Sequence, residues 1–137
     1  MNRATPKLRS YAERLIANEM SGNASPETNP TTAFVVIKKL SPHFGALMGG
    51  GGFRALLSRA LVLANAEVAW LSDLHVEADG SFEGLDKLEA QANREEIAAG
   101  GIVLLAQLLG LLTTLIGEEL TLRLLSNVNG FELGQEN

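Results

Sequence analysis

The sequence predicts an all-α protein: a compact bundle of about five helices around one uncharged C-terminal helix, with one short β-hairpin near residues 74–84. Three observations predict this class. Apolar residues recur at helical spacing in several segments, one short segment alternates apolar with polar residues, and residues 97–117 carry no charge. A chain of 137 residues is the size of one domain and can bury its own core. We therefore expect a single helical domain spanning residues 1–137.

The first predicted helix begins at Thr5 and Pro6. A capping hydroxyl followed by proline in the first helical position is a common helix start, and apolar residues follow at helical spacing until about residue 20. Residues 21–30 read SGNASPETNP, a composition that predicts a flexible linker. Residues 131–137 follow an Asn-Gly stop signal and are expected to form a frayed tail.

Two further helices are predicted before residue 72. A threonine at position 31 or 32 can cap the first of them, and Ser41-Pro42 marks either a new helix start or a kink. The four glycines at 49–52 should break the helix, since each costs about 1 kcal/mol in a helix interior. The next helix is expected to run from about residue 53 to residue 71, with one broad apolar face.

The segment after residue 73 predicts a short hairpin. Apolar Leu74 and Val76 alternate with polar His75 and Glu77, and Asp79-Gly80 is a favoured two-residue turn. Two strands alone are marginally stable, so this hairpin should lie against the helices. A polar helix is then expected from about residue 85 to the border of the uncharged segment.

Residues 97–117 allow two interpretations. Twenty-one helical residues span about 31 Å, enough to cross the hydrocarbon core of a bilayer. Gly100-Gly101, however, is expected to delay the strongly apolar helix to Ile102, which leaves sixteen residues, and neither flank carries a basic cluster or an aromatic anchor. We therefore favour a buried helix of a soluble bundle over a membrane-inserting helix.

Small residues in this segment share one helical stripe. Their spacings of 7, 4, 3 and 4 place them on a narrow face where another backbone can approach closely. The stripe, predicted as a close-packing interaction surface, consists of Ala99, Ala106, Gly110, Thr113 and Gly117.

The two halves of the chain carry opposite charge. Residues 1–66 hold eight Lys and Arg against three Asp and Glu, whereas residues 67–137 hold three against thirteen. Three explanations are open: the two surfaces lie on different faces of one globule, the N-terminal helix packs near acidic positions, or the charges serve head-to-tail assembly or a charged partner. An overall pI near 5.0 does not favour nucleic-acid binding.

One segment suggests a metal site. Aligned on Gly80, the stretch HVEADGSFEGLD resembles a degenerate EF-hand calcium loop, although it has histidine at the first position and aspartate at the last. Its ligands would be His75, Glu77, Asp79 and Asp86. Alternatively, Asp73, His75 and Glu77 would share one strand face and could bind a transition metal.

No other motif indicates chemistry. The run GGGGFR before a helix could attract an anion, but the sequence has no Walker lysine, dinucleotide-binding fingerprint, serine elbow or cysteine. We therefore expect a cytoplasmic, non-enzymatic interaction or regulatory adaptor module without a cofactor, either self-associating or bound to a larger protein. One alternative is a membrane-active protein that inserts the 97–117 helix, and another is a degenerate calcium- or metal-binding protein.

Overall fold

A computed structural model describes residues 6–19, 31–77, 82–91 and 93–129. The predicted linker at 21–30 and the predicted tail at 131–137 lie outside these residues. Within them the structure contains six α-helices, one 3-10 helix and two short strands. In chain order these are α1 (Pro6–Glu19), α2 (Thr32–Met48), α3 (Gly50–Asn65), a 3-10 helix (Ala69–Asp73), β1 (His75–Val76), β2 (Phe82–Glu83), α4 (Leu85–Gln91), α5 (Arg94–Ile116) and α6 (Glu118–Asn129).

The predicted all-α class is confirmed, and the uncharged segment lies at the centre of the bundle. Helix α5 packs against α1, α2, α3 and α6, and every residue from Val103 to Leu109 is buried. An amphipathic helix gains most of its stability by covering apolar surface, and α5 supplies that surface to four neighbours. The hairpin is also confirmed, as an antiparallel pair of very short strands.

Single glycines form the joints between consecutive helices. Gly49 separates α2 from α3 with φ 86° and ψ 145°, and Gly117 separates α5 from α6 with φ 92° and ψ 153°. This backbone region is essentially restricted to glycine. The break predicted over 49–52 is therefore confined to Gly49, and the other three glycines form the first turn of α3, where the helix still lacks most of its internal hydrogen bonds.

Two other boundaries differ from the sequence prediction. Helix α2 is continuous through Pro42, so no new helix starts at Ser41. Helix α3 ends at Asn65 rather than near residue 71, because Val68 adopts an extended conformation and the chain re-forms as the 3-10 helix. That change of direction carries Trp70 onto the surface of α5, where its ring lies against Gly100.

Gly100 and Gly101 do not delay α5, which begins at Arg94. Asn93 caps the helix, its Oδ1 accepting a hydrogen bond from the Glu96 backbone N–H at 2.9 Å. Both glycines are buried points of close approach. A β-carbon at Gly100 would overlap the Trp70 ring, and one at Gly101 would lie 2.7 Å from the Ala33 Cβ. The prediction was wrong because the packing at these positions offsets the low helix propensity of glycine.

Candidate interaction surface at the hairpin

The hairpin presents two chemically different faces. His75 of β1 pairs with Glu83 of β2, and Val76 pairs with Phe82. Because directly opposed residues of an antiparallel pair point to the same side, the polar pair occupies one face and the apolar pair occupies the other. His75 and Glu83 are exposed, whereas Phe82 is buried.

Contacts to two helices hold the hairpin in place. The Phe82 ring packs edge-to-face on Phe34 of α2, with 5.3 Å between ring centroids and an interplanar angle of 81°. On the other strand, the Arg54 guanidinium of α3 donates a hydrogen bond to the Val76 carbonyl oxygen at 3.4 Å. These contacts satisfy the expectation that two strands need helices beside them.

An acidic cleft of about 690 Å³ opens on the polar face of the hairpin. The cleft is lined by Asp73, His75, Glu83, Gly84, Asp86, Lys87 and Leu88. Its three carboxylates are solvent-exposed, and Lys87 is its only lysine or arginine among the described residues. Over the same described residues, none of the three carboxylates forms an ion pair. The acidic cleft therefore carries an excess of negative charge.

An apolar cleft of about 240 Å³ adjoins the acidic cleft at Asp86, which lines both. The apolar cleft is lined by Thr31, Phe34, Val35, Lys38, Phe82, Leu85 and Asp86. Phe34 and Phe82 are buried, and Val35 is 44% exposed. A third cleft of about 330 Å³ lies between α3, the 3-10 helix and β1, where Val62 is 69% exposed. This third cleft adjoins the acidic cleft at His75.

Elsewhere, ion pairs within the chain join the basic half to the acidic half. The Lys7 Nζ lies 2.9 Å from the Glu118 Oε2, and the Arg9 Nη1 lies 3.7 Å from the Glu67 Oε1. Both pairs tie α1 to later segments, which agrees with the expectation that the N-terminal helix lies near acidic positions. The carboxylates of the acidic cleft receive no such partner within the described part of the chain.

The contact between α1 and α6 depends on protonation. The Tyr11 hydroxyl donates a hydrogen bond to the Glu118 Oε2 at 3.0 Å. Hydrogen bonds from Lys7 and then from Tyr11 lower the pKa of Glu118 below its ordinary 4.5, and the hydrogen bond to Glu118 raises the pKa of Lys7 above 10.5. The lowered pKa means that the Glu118 contribution to stability is present above pH 4.5 and is lost as pH falls. The raised pKa means that the Lys7 contribution is lost as pH rises past 10.5.

The predicted metal ligands separate into three groups. His75 and Asp86 both line the acidic cleft, Glu77 is exposed and does not line it, and Asp79 lies outside the described residues. Across the described parts of the chain, no three His, Asp or Glu side chains are grouped closely enough to hold a metal ion. Because Asp79 is not described, the calcium-type site stays a prediction. The alternative set of Asp73, His75 and Glu77 is described in full and is not grouped closely enough to hold a metal ion, because Asp73 ends the 3-10 helix and β1 contains only His75 and Val76.

The predicted small-residue stripe lies along α5 in several environments. Ala106 is buried, Gly110 and Thr113 are half-buried, and Ala99 and Gly117 are exposed. A β-carbon on Gly110 would lie 3.0 Å from the Leu8 Cδ1, so one neighbour of the stripe is α1 of the same chain. The stripe as an interaction surface between molecules stays a prediction. The spacing of the small residues did not indicate Gly100 and Gly101 as close-packing positions, because they lie off the stripe, about 100° and about 200° around the helix from Ala99. Their adjacency within a helix was a usable signal.

Helix α5 also meets the length and composition of a membrane span. It is the one such helix in the described chain, and 56% of its most apolar 18-residue window is buried in the bundle. A core helix has the same composition, and this degree of burial fits a core role. Membrane insertion of this helix stays a prediction.

Comparisons of the chain with models of protein families, with curated proteins and with solved structures found no match.

Proposed function

We propose that this protein is a non-enzymatic interaction or adaptor module of the cytoplasm, and that it binds another protein at the hairpin surface. We define the hairpin surface as the acidic cleft and the apolar cleft together. The observation that supports the proposal is their adjacency: the acidic cleft, with three carboxylates that form no ion pair among the described residues, joins at Asp86 an apolar cleft in which Val35 is exposed. An apolar centre with a polar, solvated rim is the usual arrangement of a protein-binding surface.

The ion pairs that join α1 to later segments use Lys7 and Arg9 with Glu118 and Glu67, and they leave the carboxylates of the acidic cleft unused. The exposed carboxylates of the acidic cleft, of which Asp86 also shares the apolar cleft with Val35, contribute little to folding, since isolated exposed charges have small effects on stability. Their value lies in steering a complementary surface to this place and setting its orientation.

Site-specific photocrosslinking tests the proposal. Benzoylphenylalanine would replace Val35 in one variant and Leu115 in a matched control, because both are exposed apolar residues at 44% and 61%. Gly101 touches Phe34 beside the apolar cleft, and Leu115 lies fourteen residues further along α5, or about 21 Å. After irradiation in the cells that produce the protein, we expect a discrete protein adduct from Val35 and none from Leu115. Equal adducts from both positions, or none from Val35, would contradict the proposal.

Sedimentation velocity separates self-association from binding to a different protein. If another copy is the partner, the purified chain should sediment as an oligomer at low salt and dissociate as salt screens the acidic cleft. A monomer whose sedimentation does not change with salt would exclude charge-driven self-association and leave a different protein as the partner.

A further inference from the structure

We propose that the hairpin surface binds a segment of a partner protein that carries an apolar anchor followed by lysine or arginine. This inference rests on the proposed function and adds the chemistry of the partner. The apolar cleft would hold the anchor, and the acidic cleft would receive the cations.

The apolar cleft has a defined floor and an unfilled side. Phe34 and Phe82 form an edge-to-face pair beneath it, and each is less than 10% exposed. Val35 and Leu85 line the same cleft, the first exposed and the second half-buried. An aliphatic or aromatic side chain that entered here would remove apolar area of Val35 and Leu85 from water, which favours an apolar anchor.

Charge complementarity determines the neighbouring part of the partner. Among the described residues, the acidic cleft is lined by three carboxylates, Asp73, Glu83 and Asp86, and by one lysine, Lys87. A partner carboxylate here would meet like charge, which opposes binding, whereas lysine or arginine would meet unpaired carboxylates.

The position of Asp86 sets where the basic residues of the partner lie relative to its anchor. Asp86 lines both clefts. Cationic side chains are therefore favoured on the Asp86 side of the anchor, next to the acidic cleft. The inferred motif has its apolar residue at one end and its basic residues at the other.

Fluorescence anisotropy with the full chain and three labelled twelve-residue peptides tests the inference. The first peptide has a leucine pair followed by four lysines, the second replaces the lysines with glutamates, and the third replaces the leucines with serines. We expect binding of the first peptide, weakening with added salt, and little binding of the other two. Binding of the glutamate peptide as tight as that of the lysine peptide would overturn the charge argument.

Two matched pairs of variants locate the binding site. Asp86 and Glu119 are both exposed carboxylates at the second residue of a helix, and Glu119 lies in α6, beyond the Leu115 end of α5. Asp86→Asn should weaken binding of the lysine peptide about threefold, the effect of one exposed ion pair, and Glu119→Gln should not. Val35→Ser should weaken it and Leu115→Ser should not. Equal effects within either pair would overturn the inference.

The results distinguish this inference from the proposed function. If Val35 yields protein adducts but the lysine peptide does not bind, the surface binds a partner of other chemistry and only this inference fails. If neither is observed, both fail. If the chain instead forms an oligomer that Asp86→Asn dissociates, the occupant is a second copy, and the inference of a separate basic segment is wrong.

Discussion

Replacing Gly101 with alanine should destabilise the protein, although alanine is the better helix former. The added β-carbon would lie 2.7 Å from the Ala33 Cβ and 3.3 Å from the Phe34 ring, well inside the optimum of about 3.5–4.0 Å between carbon atoms. The Ala33 Cβ is attached directly to the backbone of α2, so it can yield only if α2 moves. Overpacking of this kind costs about 1–3 kcal/mol, and the helix-propensity gain of alanine returns about 1 kcal/mol. Because the Ala33 Cβ cannot yield by itself, the cost should lie in the upper part of that range, which leaves a net loss of about 1–2 kcal/mol.

Gly51→Ala is the matched control, because it makes the same chemical change in a helix with open space around it. A β-carbon at Gly51 would meet nothing within 4 Å. The control should therefore gain up to about 1 kcal/mol from helix propensity. Opposite signs for the same substitution would separate the packing cost from the propensity gain.

Urea unfolding followed by far-ultraviolet circular dichroism measures both effects. The midpoint should fall for Gly101→Ala and rise for Gly51→Ala, with the slope of free energy against urea unchanged in each. A Gly101→Ala protein as stable as the wild type would refute the reasoning, because it would mean that α5 and α2 do not approach as closely as the Gly101 contacts require.

Three further outcomes are expected. Gly117→Ala should cost about 1–3 kcal/mol in thermal or urea unfolding, because alanine is strained at the joint between α5 and α6. A Gly117→Ala protein as stable as the wild type would contradict this. Asn93→Ala should lower the free energy of unfolding by about 1 kcal/mol, because it removes the cap of α5, whereas Asn93→Asp should retain most of the wild-type stability. Both are measured in the same way. The stability advantage of the wild type over Glu118→Gln should be largest near pH 7 and should shrink as pH falls below 4.5, because the pKa of Glu118 is lowered by its contacts with Lys7 and Tyr11. An advantage that does not shrink as pH falls would contradict the assigned contact.

The opposite charges of the two chain halves have two structural consequences. Part of the basic half is paired internally, as Lys7 and Arg9 of α1 show. Part of the acidic half is concentrated at the acidic cleft, where Lys87 is the only lysine or arginine among the described residues. The distribution of charge along the sequence could not show which charges are paired within the chain and which are not, because pairing depends on which helices pack against each other.

The periodicity of apolar residues determined most of the fold class from the sequence alone. Helical spacing in α1, alternation at His75 and Val76, and the uncharged run of α5 are local patterns, and each predicted an element that the structure contains. The hairpin could be predicted in this way because alternation of apolar and polar residues along a segment already indicates which side of a strand is covered.

Tertiary structure alone decided the role of individual glycines and the end of α3. Gly49 breaks a helix and Gly101 lies within one, although both are glycines in glycine pairs or runs. The difference arises because Gly101 gains close contact with Ala33, which offsets its poor propensity, and that contact joins positions 68 residues apart. The hairpin surface could not be derived from the sequence either. It forms because packing brings Phe34 of α2 onto Phe82 of β2, and exposed Val35 then lines the same cleft as Asp86.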